Sequence, residues 1–135
     1  LLRVALVGCG KAAENHIREI RKLSGASLVA VCDIEPLMAE QLAVRYRIQK
    51  HFSDMDAMLE TERPDVVHIA TPPQSHLALA VKALDAGCHV LVEKPLTLCY
   101  GDSQKLVAHA VSRERKLTIG YNYYFDPIAR TMRKL

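Results

Sequence analysis

Leu2-Arg3-Val4-Ala5-Leu6-Val7-Gly8-Cys9-Gly10-Lys11-Ala12-Ala13, at the start of the chain, decides the fold. Residues 2–7 are nearly all apolar, as expected of a strand covered on both faces. Gly8 to Gly10 break the run. Ile17, Ile20 and Leu23 then recur at helical spacing and predict a helix from about Ala12 to Leu23. Ser24-Gly25 is expected to end it, with Gly25 in a left-handed turn. A strand, a glycine turn and a helix in that order give the pattern G-x-G-x-x-G/A its meaning. Gly8 allows the tight turn, Gly10 lets the backbone approach a pyrophosphate, and Ala13 is small enough for close helix packing. The free N–H groups and positive dipole end of the helix would face the phosphates. Gly8, Cys9, Gly10, Lys11 and Ala12 are therefore candidate cofactor contacts.

A second strand, Ser27 to Cys32, is closed by Asp33, about 20 residues past the glycines. An acid there accepts hydrogen bonds from the ribose hydroxyls of NAD, and a 2′-phosphate would meet like charge. Ile34 and Glu35 follow, so no adjacent Arg receives that phosphate. The expected cofactor is NAD, with NADP disfavoured. The competing reading is that Asp33 only caps the helix that Pro36 opens.

The same alternation continues along the chain. Helix Pro36 to Tyr46, strand Ile48 to Phe52, a short helix Asp54 to Glu60 capped by Ser53, and strand Val66 to Ala70 come next. Thr71-Pro72-Pro73 stops that strand. Helix Ser75 to Ala86 turns Leu77, Ala80, Val81 and Leu84 inward, Gly87 ends it, and strand His89 to Val92 follows. Helix Asp102 to Arg115, strand Leu117 to Tyr121 and a last helix capped by Asp126 complete the pattern. Alternating strands and helices with short connections predict an α/β fold, a doubly wound parallel sheet of Rossmann type in a single domain.

Composition excludes several other classes. The 135 residues suit one domain, half are apolar, and the formal net charge is only +3. No basic block or docking motif points to nucleic acid. No run of 18 apolar residues predicts a membrane span, and the apolar start is a strand rather than a signal peptide. Cys9, Cys32, Cys88 and Cys99 lack metal-like spacing and are read as reduced thiols of a cytoplasmic protein. No metal site is expected, and His16, His51, His68, His89 and His109 are read as structural or surface residues. The chain has no initiator Met and is read as processed or cut from something longer.

Three further segments lie at predicted carboxyl ends of strands, where open α/β sheets bind ligands. They are Thr71-Pro72-Pro73-Gln74-Ser75-His76, Glu93-Lys94-Pro95 and Gly120-Tyr121-Asn122. Together with the glycine turn they resemble the glucose–fructose oxidoreductase / inositol dehydrogenase / rhizopine-catabolism (Gfo/Idh/MocA) family over essentially the whole chain. The resemblance implies a nicotinamide-dependent oxidoreductase acting on sugars, cyclitols or related secondary alcohols. It implies that Lys94 lies near the nicotinamide and the reacting hydroxyl, where an ammonium can stabilise charge or relay a proton. Glu93 matches an acid that helps hold the site, and could instead be the ion-pair partner of Lys94. Pro95 matches a proline that is often cis. Thr71, Pro72 and His76 match the loop lining the path from adenosine to nicotinamide, His76 being equally readable as a packing residue.

Asn122 matches an Asn near the substrate. Tyr124 departs from the family, which commonly has a basic residue there, and this bears on substrate class. The resemblance also divides the chain into a cofactor domain, 1–121, and the start of a connection, 122–135, to a substrate domain that completes the enzyme. It implies a homo-oligomer for the full-length protein, without nucleic-acid or membrane partners. The 135 residues alone are expected to bind cofactor without turning over substrate, and to associate through exposed apolar residues. The alternative is a non-catalytic NAD(H)-binding redox sensor or regulatory module.

Overall fold

A computed structural model describes residues 1–122 and 126–134. Six parallel strands lie in the order β3-β2-β1-β4-β5-β6: β1 (Leu2–Val7), β2 (Ala26–Cys32), β3 (His51–Phe52), β4 (Val66–Ile69), β5 (His89–Val92) and β6 (Leu117–Ile119). The helices are α1 (Lys11–Lys22), α2 (Pro36–Tyr46), α3 (Met55–Glu62), α4 (His76–Asp85), α5 (Tyr100–Ser112) and α6 (Pro127–Met132), with a 3-10 turn at Pro73–Ser75. The order reverses between β1 and β4, so the crevice for a dinucleotide opens at the carboxyl ends of those two strands.

Strand alternation assigns the core to two layers. Ala5 and Val7 of β1, Ala30 and Cys32 of β2, Val67 and Ile69 of β4, and Val90 and Val92 of β5 face α3, α4 and α5. Leu6 and Val31 point the other way, onto Ala13 and Ile17 of α1 and Ala39, Leu42 and Ala43 of α2. On this second face His68 and Leu91, from β4 and β5, border a cavity of about 380 Å³ beside α1. This asymmetry leaves room for polar side chains under α1.

Several predicted boundaries move, each for a local reason. The third strand is two residues, not the stretch from Ile48, because Ile48 closes α2. Its N–H bonds the Ala43 carbonyl at 2.8 Å, and Arg47 takes the left-handed turn usually given to glycine. Asp54, not Ser53, caps α3 by accepting from the Asp56 N–H. Gly25 does not take a left-handed turn: α1 ends at Lys22 and Leu23 leaves it extended and 59% exposed, not on the buried face. β4 ends at Ile69, β6 at Ile119 and α5 at Ser112, each short of expectation. Pro36 does open α2, Gly87 does turn left-handed after α4, and Asp126 does cap the last helix.

Candidate functional site

The glycine turn shows two different reasons for glycine. Gly8 has φ +96°, and a Cβ there would fall 2.6 Å from the backbone of Ala70. The fold itself requires it. Gly10 is extended, with φ −78°, and a Cβ there would meet nothing within 4 Å. No packing explains this second glycine. It caps α1 without a side-chain hydrogen bond, so N–H groups of the first turn stay open beside Lys11 and Ala12, both exposed. The space a Cβ would fill and the open donors together fit a pyrophosphate.

Asp33 joins the turn to the end of β2. Its Oδ2 accepts from the Cys9 N–H at 2.8 Å and its Oδ1 from the Glu35 N–H at 2.9 Å. The first residue outside α2 is Glu35, so Asp33 is not that helix's cap. A carboxylate has about four lone-pair directions, which leaves two for ribose hydroxyls. Ile34, next to it, is 86% exposed and offers an apolar face to a purine ring. Sequence reasoning passed over Ile34 as merely not Arg.

Across the switch point, the loop after β4 is built around His76. This side chain is fully buried and bridges two loops: Nε2 lies 2.8 Å from the Thr71 carbonyl and Nδ1 2.7 Å from the Pro95 carbonyl. Its ring holds the Thr71-Pro72 segment against the Lys94-Pro95 segment and presents no free nitrogen outward. Ser75 Oγ–H donates to the Pro72 carbonyl at 2.8 Å while its oxygen can accept from the Thr71 hydroxyl at 2.7 Å, tightening the same turn. Pro72 is exposed and Thr71 half-buried along the crevice. The Lys94–Pro95 peptide is cis.

Glu93 is not the ion-pair partner of Lys94. Its Oε1 lies 2.8 Å from His16 Nε2, and its Oε2 accepts the backbone N–H of Lys94 at 3.3 Å. The Lys94 side chain is exposed, and among the described residues no acid lies within ion-pair distance of it. His16 continues the contact to His68, Nδ1 to Nδ1 at 3.0 Å. Gly120 packs so closely that a Cβ there would sit 3.2 Å from Glu93 Oε1. Asn122 is exposed beside this cluster on the wall of the 380 Å³ cavity, whereas Tyr124 lies outside the described residues.

Burial, with the neighbouring His16 second, pushes the His68 imidazole down to about 4. Below pH 6.5 the unfolded chain takes up a proton that folded His68 refuses until about pH 4, so stability falls as pH falls through that window. Integrated over those limits, the native protein should lose roughly 2 kcal/mol between pH 7 and pH 4.5. Urea unfolding at the two pH values measures this, and His68→Leu is expected to flatten the difference. An unchanged slope in the variant would assign it to other groups.

Burial makes Cys9, Cys32 and Cys88 poor nucleophiles. All four cysteines are free, and burial first, with Asp33 or Asp65 next, pushes the thiols of Cys9, Cys32 and Cys88 up to about 12, 11 and 11. No metal-holding cluster exists among the described residues, and no described helix is long and apolar enough to cross a membrane. His109 pairs with Asp85, and His89 accepts from Lys116 N. The cavities around Arg3 and Glu62, and around Arg63 and Asp65, open at the amino edge of the sheet, away from these groups.

Glycine turn, Asp33 and the Glu93-Lys94-Pro95 loop thus follow the carboxyl ends of β1, β2 and β5, on one edge of the parallel sheet. A family model described as an oxidoreductase family with an NAD-binding Rossmann fold (GFO_IDH_MocA) matches residues 2–121. The chain belongs to the Gfo/Idh/MocA family. Inositol 2-dehydrogenase 4 of Saccharopolyspora erythraea is 38% identical over 93% of this chain and 38% of its own length. D-apiose dehydrogenase of Paraburkholderia graminis is 32% identical over 91% of the chain and 33% of its own length. The chain therefore spans a little over a third of these Gfo/Idh/MocA relatives. Among solved structures, the WlbA dehydrogenase of Bordetella pertussis in complex with NADH and UDP-GlcNAcA superposes with a TM-score of 0.92. It is 28% identical, over 98% of this chain and 41% of that one. The scyllo-inositol dehydrogenase of Lactobacillus casei, bound to NAD(H) and scyllo-inositol, gives 0.90 at 26% identity, over 99% and 40%.

Proposed function

We propose that this chain is the NAD-binding part of a Gfo/Idh/MocA oxidoreductase that moves a hydride between NAD and a secondary alcohol of a sugar or cyclitol. The observation that carries the reading is Lys94. Its ammonium stands exposed and unclaimed by any described acid at the carboxyl edge of β5, while the acid beside it is committed to His16. NAD, when bound, supplies the hydride acceptor or donor. Gly8, Cys9, Gly10, Lys11 and Ala12 cradle its phosphates, and Asp33 takes the ribose hydroxyls of its adenosine half. Thr71, Pro72 and His76 shape the path to the nicotinamide half, with His76 acting through the two carbonyls it holds.

At the reacting end, Lys94 stabilises the oxygen of the alcohol as its proton leaves, a contribution of about 10²–10⁴ in rate for a well-placed acid or base. Glu93 fixes the backbone from which Lys94 projects, and Asn122 reaches toward the substrate. The match covers only 33% and 38% of the named relatives' own lengths, which supports a second, substrate-binding domain reached through residues 122–135. Assembly into a homo-oligomer and a cytoplasmic location belong to the same reading, the latter supported by four unpaired cysteines. Nucleic acid and membrane have no part in it.

The test uses the full-length protein against a panel of sugars and cyclitols with NAD. Turnover is expected, and Lys94→Met should lower kcat about a hundredfold while leaving the ADP-ribose Kd within threefold. Unaltered kcat in that variant would remove Lys94 from the chemistry.

A further inference from the structure

We infer that His16 is a positioning residue for the nicotinamide end of the crevice, acting on Lys94 through Glu93. The inference rests on the cofactor reading above and adds to it a residue far from the reacting atoms in sequence. His16 sits in α1, the helix whose amino end faces the phosphates, and its side chain is only 10% exposed. From there it reaches across the sheet to the end of β5, 77 residues further along the chain.

Proton bookkeeping shows what the contact does. Glu93 as a carboxylate only accepts, so His16 Nε2 carries a proton wherever the 2.8 Å bond stands. When His16 is neutral, its bare Nδ1 accepts from His68 Nδ1–H. When His16 is an imidazolium, its Nδ1–H donates and His68 adopts the other tautomer, with its proton on Nε2. His68, pushed down to about 4, remains neutral in either case at neutral pH. Both states of His16 therefore keep a hydrogen bond to Glu93. His68 supplies the adaptable partner that makes this so.

That bond has two consequences at the crevice. One oxygen of Glu93 is held by His16 while the other receives the Lys94 backbone N–H, with Gly120 packed against the carboxylate. Released from His16, the carboxylate loses its strongest partner in a site only 22% exposed. The Lys94 ammonium, exposed and claimed by no described acid, is then one residue away in sequence. Capture of that ammonium, and loss of the backbone bond, would draw Lys94 off the crevice and loosen the Gly120–Asn122 segment. The adenosine half, held at the glycine turn and Asp33 on the other side of the switch point, would be untouched.

This difference between the two halves of the cofactor provides the test. Calorimetric titrations of the full-length protein with NADH and with ADP-ribose, which lacks the nicotinamide, are compared for His16→Ala and His16→Gln. His16→Ala should bind ADP-ribose within twofold of the unmodified protein but NADH about tenfold more weakly. His16→Gln, whose side-chain amide can donate from about the place of Nε2, should restore NADH binding to within threefold. Unchanged NADH affinity in His16→Ala overturns the inference. So does an equal loss for both ligands, which would make His16 a prop for α1. Failure of the unmodified protein to bind either ligand overturns the cofactor reading, and this inference with it.

Discussion

Gly10→Ser is expected to leave the protein as stable as before, or slightly more so, while lowering its NADH affinity at least thirtyfold. Two physical demands meet at this residue and point in opposite directions. As the N-cap of α1, position 10 would prefer serine, whose hydroxyl can take one of the open N–H groups that no side chain satisfies now. The backbone, with φ −78°, accepts any L residue, and a Cβ would touch no atom within 4 Å. Folding alone thus gives no reason for glycine. A phosphate lying against that backbone does, because the hydroxymethyl group would occupy its place and its hydroxyl would compete for the same donors. Thirtyfold corresponds to about 2 kcal/mol.

Gly8→Ala is the companion and should behave in the reverse way. At φ +96° with the Ala70 backbone 2.6 Å from the new Cβ, neither side can yield cheaply. A loss of about 3 kcal/mol or more is expected, or roughly 10 °C in Tm. Thermal melts and NADH titrations of both variants separate the roles. If Gly10→Ser binds NADH normally, the turn is structural throughout.

Much of this crevice was legible in the sequence, because its parts are local. The run Leu2 to Val7, the two glycines and Ala13 lie within a dozen residues, and Asp33 stands at the end of the next apolar run. Period and punctuation suffice for features of that kind. Features made by long-range pairing were not legible. His16, His68 and Glu93 carry no mutual spacing signal, and they meet only because β4 inserts between β1 and β5. A histidine at each of two positions read as structural became a connected pair. His76 was legible as a position but not as a role, since the carbonyls it joins belong to Thr71 and Pro95, 5 and 19 residues away. The boundaries missed at Ile48 and Glu60 have a related cause. Arg47 and Arg63 take left-handed turns that the sequence marks with no glycine, because the chain beyond them is anchored elsewhere.

Asp33→Asn is expected to remove most of the preference for NADH over NADPH, from at least about a hundredfold to within about fivefold. The substitution keeps the shape and one acceptor oxygen but deletes the charge. The Cys9 and Glu35 N–H groups each bond one carboxylate oxygen, and the amide can serve only one of them as acceptor. Some loosening of the glycine turn is therefore unavoidable, and NADH should bind about tenfold more weakly. A charge-assisted hydrogen bond to a ribose hydroxyl contributes on the order of 1.5–3 kcal/mol, consistent with that loss. NADPH should gain at the same time, because its 2′-phosphate no longer faces an anion. The opposite signs are what distinguish a ribose-binding acid from a structural one. Were Asp33 only a tie between the turn and β2, both cofactors would weaken together and their ratio would stand. Competition titrations at fixed ionic strength read that ratio directly, since turn loosening cancels between the two ligands and the charge effect does not.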